Sequence, residues 1–121
     1  MLWSVVNNAA SLVFADAAFQ TSEQVRNQID VNFYGVWSIS KKFTPHLISS
    51  KGRIVNIISF CTQCPLPTLS LYTATKAAVL SLSEGMRMEC AKLGVDVVLF
   101  NPGDHPKGTP LCSGQENNYK V

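Results

Sequence analysis

Lys51-Gly52-Arg53-Ile54-Val55-Asn56-Ile57-Ile58-Ser59 is the stretch that decides the fold. Arg53 to Ile58 is a β-branched run of the kind that forms a buried strand, and Lys51-Gly52 before it closes a helix. Upstream, Thr21 or Ser22 caps a helical pattern with Glu23 in its first turn. Its apolar residues Val25, Ile29, Phe33, Val36 and Trp37 recur at three- and four-residue steps. This helix is expected to continue past Ile39 and Phe43 and to bend or end near Pro45. Further back, Leu2 to Val6 is a short apolar strand that opens into a loop at Asn7-Asn8. Downstream, Pro65 and Pro67 break the connection, and from about Ser70 a second helix is predicted from the spacing of Ala74, Ala77, Ala78, Leu82, Met86 and Ala91. Gly94 ends it, and Val95 to Phe100 forms a third strand stopped by Asn101-Pro102-Gly103.

Strand, helix, strand, helix, strand is the order of an α/β fold, a doubly wound parallel sheet covered by helices on both faces. Ligands sit at the carboxyl ends of such strands, where Asn7, Ser59 and Pro102-Gly103 all fall. The whole chain, 1–121, reads as a single partial domain, with 104–121 polar, turn-rich and irregular.

The 121 residues are 46% hydrophobic and 15% charged, enough apolar material for one core. The net charge of +2 is scattered, without the basic stripe that binds phosphate backbones, so nucleic acid is not an expected partner. Apolar runs are far shorter than the roughly 20 residues a membrane-crossing helix needs. The start, Met1-Leu2-Trp3-Ser4, lacks the pattern of a secretory signal, and an intracellular location is expected. Cys61, Cys64, Cys90 and Cys112 read as reduced thiols. Cys61 and Cys64 have the spacing of a redox or metal pair, yet no second pair or suitably spaced His follows. The plainer reading is two small apolar residues in a loop, and no metal is expected.

Tyr72 and Lys76 lie four apart on the second helix, so both side chains leave one face a single turn apart. A tyrosine can protonate a developing alkoxide near neutral pH only if its pKa of about 10 is lowered, and a nearby lysine ammonium does this. Ser59, at the end of the second strand, could hold a substrate oxygen through its hydroxyl. Each residue alone has an ordinary structural explanation; together and in order they are specific.

With Asn7-Asn8-Ala9-Ala10 after the first strand, Asn32 within Asp30-Val31-Asn32-Phe33-Tyr34-Gly35, Ser59, and Tyr72-Thr73-Ala74-Thr75-Lys76, the chain resembles the short-chain dehydrogenase/reductase family. The step of 13 residues from Ser59 to Tyr72 is the step the family uses, and Asn101-Pro102-Gly103 is similar to its Pro-Gly turn beside the nicotinamide. The resemblance spans about residues 2 to 103. It implies a Rossmann-like sheet, NAD or NADP as cofactor, and a secondary alcohol or ketone as substrate. Leu2-Trp3 and Lys51-Gly52-Arg53 are most similar to the branch of 17β-hydroxysteroid, retinol and 3-hydroxybutyrate dehydrogenases, which implies a steroid, a retinoid or a small hydroxy acid.

By the same resemblance, Tyr72 is the proton donor or acceptor, Lys76 lowers its pKa and holds the nicotinamide ribose, Ser59 positions the substrate oxygen, and Asn32 anchors a proton-relay water. Asn8 is expected to brace the neighbouring strands. Asn8, Ala9, Ala10, Tyr72, Lys76, Pro102 and Gly103 are the expected cofactor contacts, with Ala9 and Ala10 leaving room for a ribose. Ala10 replaces a family glycine, at a cost on the order of 1 kcal/mol if the turn needs positive φ. Ile58 and Thr62 stand where many relatives have serine and glycine. Lys107 stands where many have a carboxamide-binding threonine, with Thr109 two residues later.

The family begins with a strand, a Gly-rich turn and a helix that cradle the pyrophosphate, and no Gly-x-x-x-Gly-x-Gly occurs here. Two absent βαβ units would amount to roughly 60 residues. The expectation is an incomplete record of a longer enzyme, inactive by itself, with an exposed first strand and open apolar surface. An absent leading segment could also carry an anchor or address to the endoplasmic reticulum or another organelle. The alternative reading is a short non-catalytic product that acts by pairing with a full-length relative. The family commonly forms homodimers or tetramers through the two long helices seen here.

Overall fold

The computed structural model describes residues 1–103 and Leu111. Three parallel strands, β1 (Ser4–Asn7), β2 (Arg53–Ile57) and β3 (Asp96–Phe100), lie side by side in chain order. Between β1 and β2 the chain forms α1 (Ser22–Ile29), a wide π-turn (Asp30–Tyr34) and α2 (Gly35–Ser50) as one continuous rod. Between β2 and β3 it forms α3 (Ser70–Ala91). The Thr21 cap is reciprocal: Gln24 N–H donates to Thr21 Oγ1 at 3.2 Å and Thr21 N–H donates to Gln24 Oε1 at 2.9 Å. The α/β class and the parallel sheet are as the sequence predicts.

Strand register explains which side chains face inward. Val5, Ile54 and Val97 form one cross-strand row, Asn7, Asn56 and Leu99 the next inward row, and Val6, Val55 and Val98 the outward row between them. Leu47 of α2 and Cys90 of α3 pack on Ile54, Val95 and Val97, while Val36 of α2 and Val79 of α3 pack on Ile58. Both long helices therefore cover the same face. This corrects the expectation of helices on both faces within this segment. Two crossovers that advance in one direction, each right-handed, put their helices on one side, and only a reversal of strand order would bring a helix to the other. The outer face is open, with Val6 58% and Phe100 55% exposed.

The rod does not break at Pro45, which sits exposed inside α2. A proline lacks only its own N–H donor, and the carbonyl it frees can be met by water on an exposed face. The helix closes instead at Lys51, which takes a left-handed conformation (φ 53°). Gly52 follows for a different reason, close approach: a Cβ there would lie 2.6 Å from the Trp3 carbonyl oxygen, to which Arg53 N–H donates.

The π-turn inserts one residue into the helical count and shifts the inward face by about 100°. Gln28, Asn32, Val36 and Ser40 are buried, whereas Ile29 and Trp37 of the apolar stripe are exposed. A polar seam joins the layers under the sheet. Asn7 Nδ2 donates to Asn56 Oδ1 at 2.7 Å and Ser40 Oγ at 3.1 Å, and Asn56 Nδ2 donates to Ser83 Oγ at 2.8 Å. All four side chains are buried.

Candidate active site

Lys76 and Tyr72 occupy successive turns of α3 near its start, with the Lys76 Nζ 5.8 Å from the centre of the Tyr72 ring. Lys76 is only 2% exposed, and its ammonium donates to the Ile57 carbonyl at 2.9 Å, which ties α3 to the carboxyl end of β2. Ser59 lies two residues beyond that strand end, half-buried. Its hydroxyl oxygen accepts from Cys61 N–H at 3.3 Å and caps a single turn, Phe60–Thr62. Tyr72 packs in one apolar cluster with Cys61, Leu12 and Leu69, bordered by Phe14 and Leu111.

Asn32 is fully buried in the π-turn. Its Oδ1 accepts from Ser11 N–H at 2.7 Å, and its Nδ2 donates to the Ser11 carbonyl at 2.8 Å and to Thr75 Oγ1 at 2.9 Å. Thr75 Oγ1 donates in turn to the Tyr72 carbonyl at 2.7 Å. Asn32 is thus linked through one hydroxyl to the turn of helix that carries both Tyr72 and Lys76. Asn32 follows the buried Gln28 by four residues, so the two side chains leave the same face of the rod.

At the strand ends, Asn8 and Ala9 are exposed, Ala10 and Pro102 are half-buried, and Gly103 is exposed. The bracing role expected of Asn8 belongs to Asn7. Side chains alternate along a strand, so the residue two after Val5 shares its inward face and the next one does not. Lys107, Thr109 and Cys112 lie outside the described residues. Sequence reasoning also missed Thr75 and Ser11, whose role arises only where the loop after β1 meets α3.

Burial lowers the Lys76 ammonium from its usual 10.5 to about 8. Among the described residues the sole ion pair is Arg87 with Glu84 at 3.0 Å, on the surface. Between pH 8 and 10.5 the unfolded chain holds a proton at this lysine that the folded one has released, so Lys76 makes stability rise across that window, by about 3 kcal/mol. Urea unfolding of the wild-type protein should show that rise, measured against Lys76→Met as reference. Parallel pH profiles for the two proteins would contradict the assignment.

The family model for short chain dehydrogenases matches residues 1–115. The chain belongs to the short-chain dehydrogenase family. It is 42% identical over 103 residues to estradiol 17-beta-dehydrogenase 2 of Rattus norvegicus, covering 84% of this chain and 27% of that one. With the mitochondrial D-beta-hydroxybutyrate dehydrogenase of Bos taurus it shares 36% over 115 residues, 95% of this chain and 33% of the relative. The chain therefore spans about a quarter to a third of the length of these curated dehydrogenases. A short-chain dehydrogenase from Streptomyces avermitilis superposes with a TM-score of 0.79 at 31% identity, over 85% of this chain and 38% of that one. A gluconate 5-dehydrogenase from Burkholderia cenocepacia, solved with NADP and tartrate, superposes with a TM-score of 0.80 at 27% identity, over 91% of this chain and 43% of that one.

The residues present fit a nicotinamide dinucleotide of the kind short-chain dehydrogenases use. A lysine ammonium has three donors, and the Ile57 carbonyl takes one, which leaves two for the vicinal hydroxyls of a ribose at the strand ends. Exposed backbone at Asn8-Ala9 and Gly103 lies at the same ends.

Proposed function

We propose that this segment is the catalytic portion of an NAD- or NADP-dependent oxidoreductase that interconverts a secondary alcohol and a ketone. The observation that carries it is the buried Lys76 beside Tyr72, one helical turn away and bonded to the end of β2. Asn8, Ala9, Ala10, Lys76, Pro102 and Gly103 would hold the dinucleotide, which when bound supplies or accepts the hydride. Tyr72 exchanges the proton with the substrate oxygen, and the Lys76 charge favours the tyrosinate. Ser59 donates to that oxygen once its hydroxyl turns from its capping role, and Asn32 holds the loop after β1 and the start of α3 in fixed relation. The apolar surround of Tyr72, with Leu12, Leu69, Phe14 and Leu111, suits a hydroxysteroid or another substrate of low polarity better than a charged hydroxy acid. The decisive experiment is turnover by the native protein with either dinucleotide, against 17β-hydroxysteroids and 3-hydroxybutyrate. Absence of nicotinamide-linked turnover on every secondary alcohol tried would overturn the reading.

We also infer that the protein pairs with a second copy through the outer side of its helices. Val25, Ile29 and Phe33 from the rod and Leu71, Ala74 and Ala78 from α3, with Gln28 and Thr75, line an open and largely apolar groove of about 190 Å³ between the rod and α3. Ile29→Glu should lower the sedimenting mass to that of a single copy, and an unchanged mass would count against pairing here. No helix among the described residues is long and apolar enough to cross a membrane. Unpaired Cys61, Cys64 and Cys90 fit a reducing compartment inside the cell.

A further inference from the structure

We propose that Cys64 and Cys61 form a thiol modification site: Cys64 is attacked by small disulfides such as oxidised glutathione, and Cys61 resolves the adduct into an internal disulfide. Cys64 is exposed, whereas Cys61 is buried against Tyr72, Leu12 and Leu69. The turn between them is closed by hydrogen bonds from Thr62 N–H to the Ser59 carbonyl (3.0 Å), Gln63 N–H to the Phe60 carbonyl (2.9 Å) and Cys64 N–H to the Phe60 carbonyl (3.2 Å). Residues three apart in such a turn have Cα atoms about 5 to 6 Å apart, inside the range a disulfide spans. The Cys64 thiolate displaces one glutathione thiolate and forms a mixed disulfide. Cys61, after losing its proton to solvent, then attacks the Cys64 sulfur and releases the second glutathione thiolate. Two protein thiols are oxidised, one glutathione disulfide is reduced to two thiols, and the two protons end on glutathione or in water.

The location gives the bond a consequence. Cys61 N–H holds the Ser59 hydroxyl oxygen at 3.3 Å, and the Cys61 side chain touches the cluster that seats Tyr72. Closing the 61–64 ring stiffens the turn in which Ser59 serves as cap and opposes its rotation toward a substrate. The thiol chemistry stands without the oxidoreductase reading; only the loss of turnover rests on it. The test is incubation of the purified native protein with oxidised glutathione, alkylation of remaining thiols, and mass analysis of the tryptic peptide 54–76, which contains both cysteines and neither Cys90 nor Cys112. The expected product is lighter than the reduced peptide by two hydrogens and takes up no alkylating agent. In Cys61→Ser, which cannot resolve the adduct, the peptide should instead carry one glutathione. A wild-type peptide that stays fully alkylatable, or that keeps its glutathione as Cys61→Ser does, overturns the proposal. If the disulfide forms but turnover of active protein is unchanged, the modification stands and its link to Ser59 fails.

Discussion

Tyr72→Phe in the native protein is expected to lower kcat by about 100- to 10,000-fold, the range that a positioned acid–base group contributes. The substitution keeps the ring, so the packing on Leu12, Cys61 and Leu69 and the cation above the ring face are retained. Only the hydroxyl is lost. Because Lys76 still reaches the Ile57 carbonyl and keeps two free donors, the dissociation constant for the dinucleotide should change by no more than about threefold. Steady-state kinetics and a dinucleotide fluorescence titration measure the two quantities separately. Unchanged turnover would remove Tyr72 from the chemistry, and a parallel loss of dinucleotide affinity would make it a binding residue.

The second large effect is on stability. Asn32→Leu should lower the unfolding free energy by about 3 to 5 kcal/mol, read as a shift in the urea midpoint at constant slope. Leucine has the branching of asparagine, with two methyl groups in place of the amide oxygen and nitrogen, and cannot replace any of its three bonds, so the Ser11 N–H, the Ser11 carbonyl and the Thr75 hydroxyl oxygen each lose a buried partner. Three separate penalties of about 1 to 3 kcal/mol would overshoot, since Thr75 keeps its bond to the Tyr72 carbonyl and the Ser11 backbone can relax toward solvent. A shift below about 1 kcal/mol would mean that the loop after β1 is not held by this amide.

Most of the fold was legible because each strand was bounded by residues with one physical meaning. The β-branched run 53–58 lies between Lys51-Gly52 and the proline-broken loop, and Gly94, at φ +71°, stops α3 in a conformation other residues rarely adopt. The rod between β1 and β2 was legible as a helix but not in its facing. Ile29 and Trp37 recur with the period of a core stripe and are exposed, while Gln28, Asn32 and Ser40 turn inward. Hydrophobic period reports that a helix has an apolar face and does not report what covers it. The π-turn leaves no compositional mark, so its phase shift could not be read from residue types. The candidate site was legible in Asn32, Ser59, Tyr72 and Lys76 because their spacing is specific. The share of the work done by Asn7, Ser11 and Thr75 depends on contacts between distant segments, which no local pattern records.

The seam of Asn7, Asn56, Ser40 and Ser83 bears on how the chain finds its alignment during folding. A one-residue slip of β1 against β2 would turn every side chain to the wrong face, and hydrophobicity alone forbids it. A two-residue slip keeps the inward and outward sets intact, so apolar contact discriminates weakly against it. It would, however, set the Asn56 amide opposite Val5 or beyond the strand end, and leave the Asn7 amide facing an aliphatic neighbour. Each stranded amide costs about 1 to 3 kcal/mol, which makes the misaligned sheet a minor species even before the helices close over it. The amides under the sheet thus act as a selection rule among near-equivalent pairings, and they secure the alignment on which the placement of Ile57 beneath Lys76 depends.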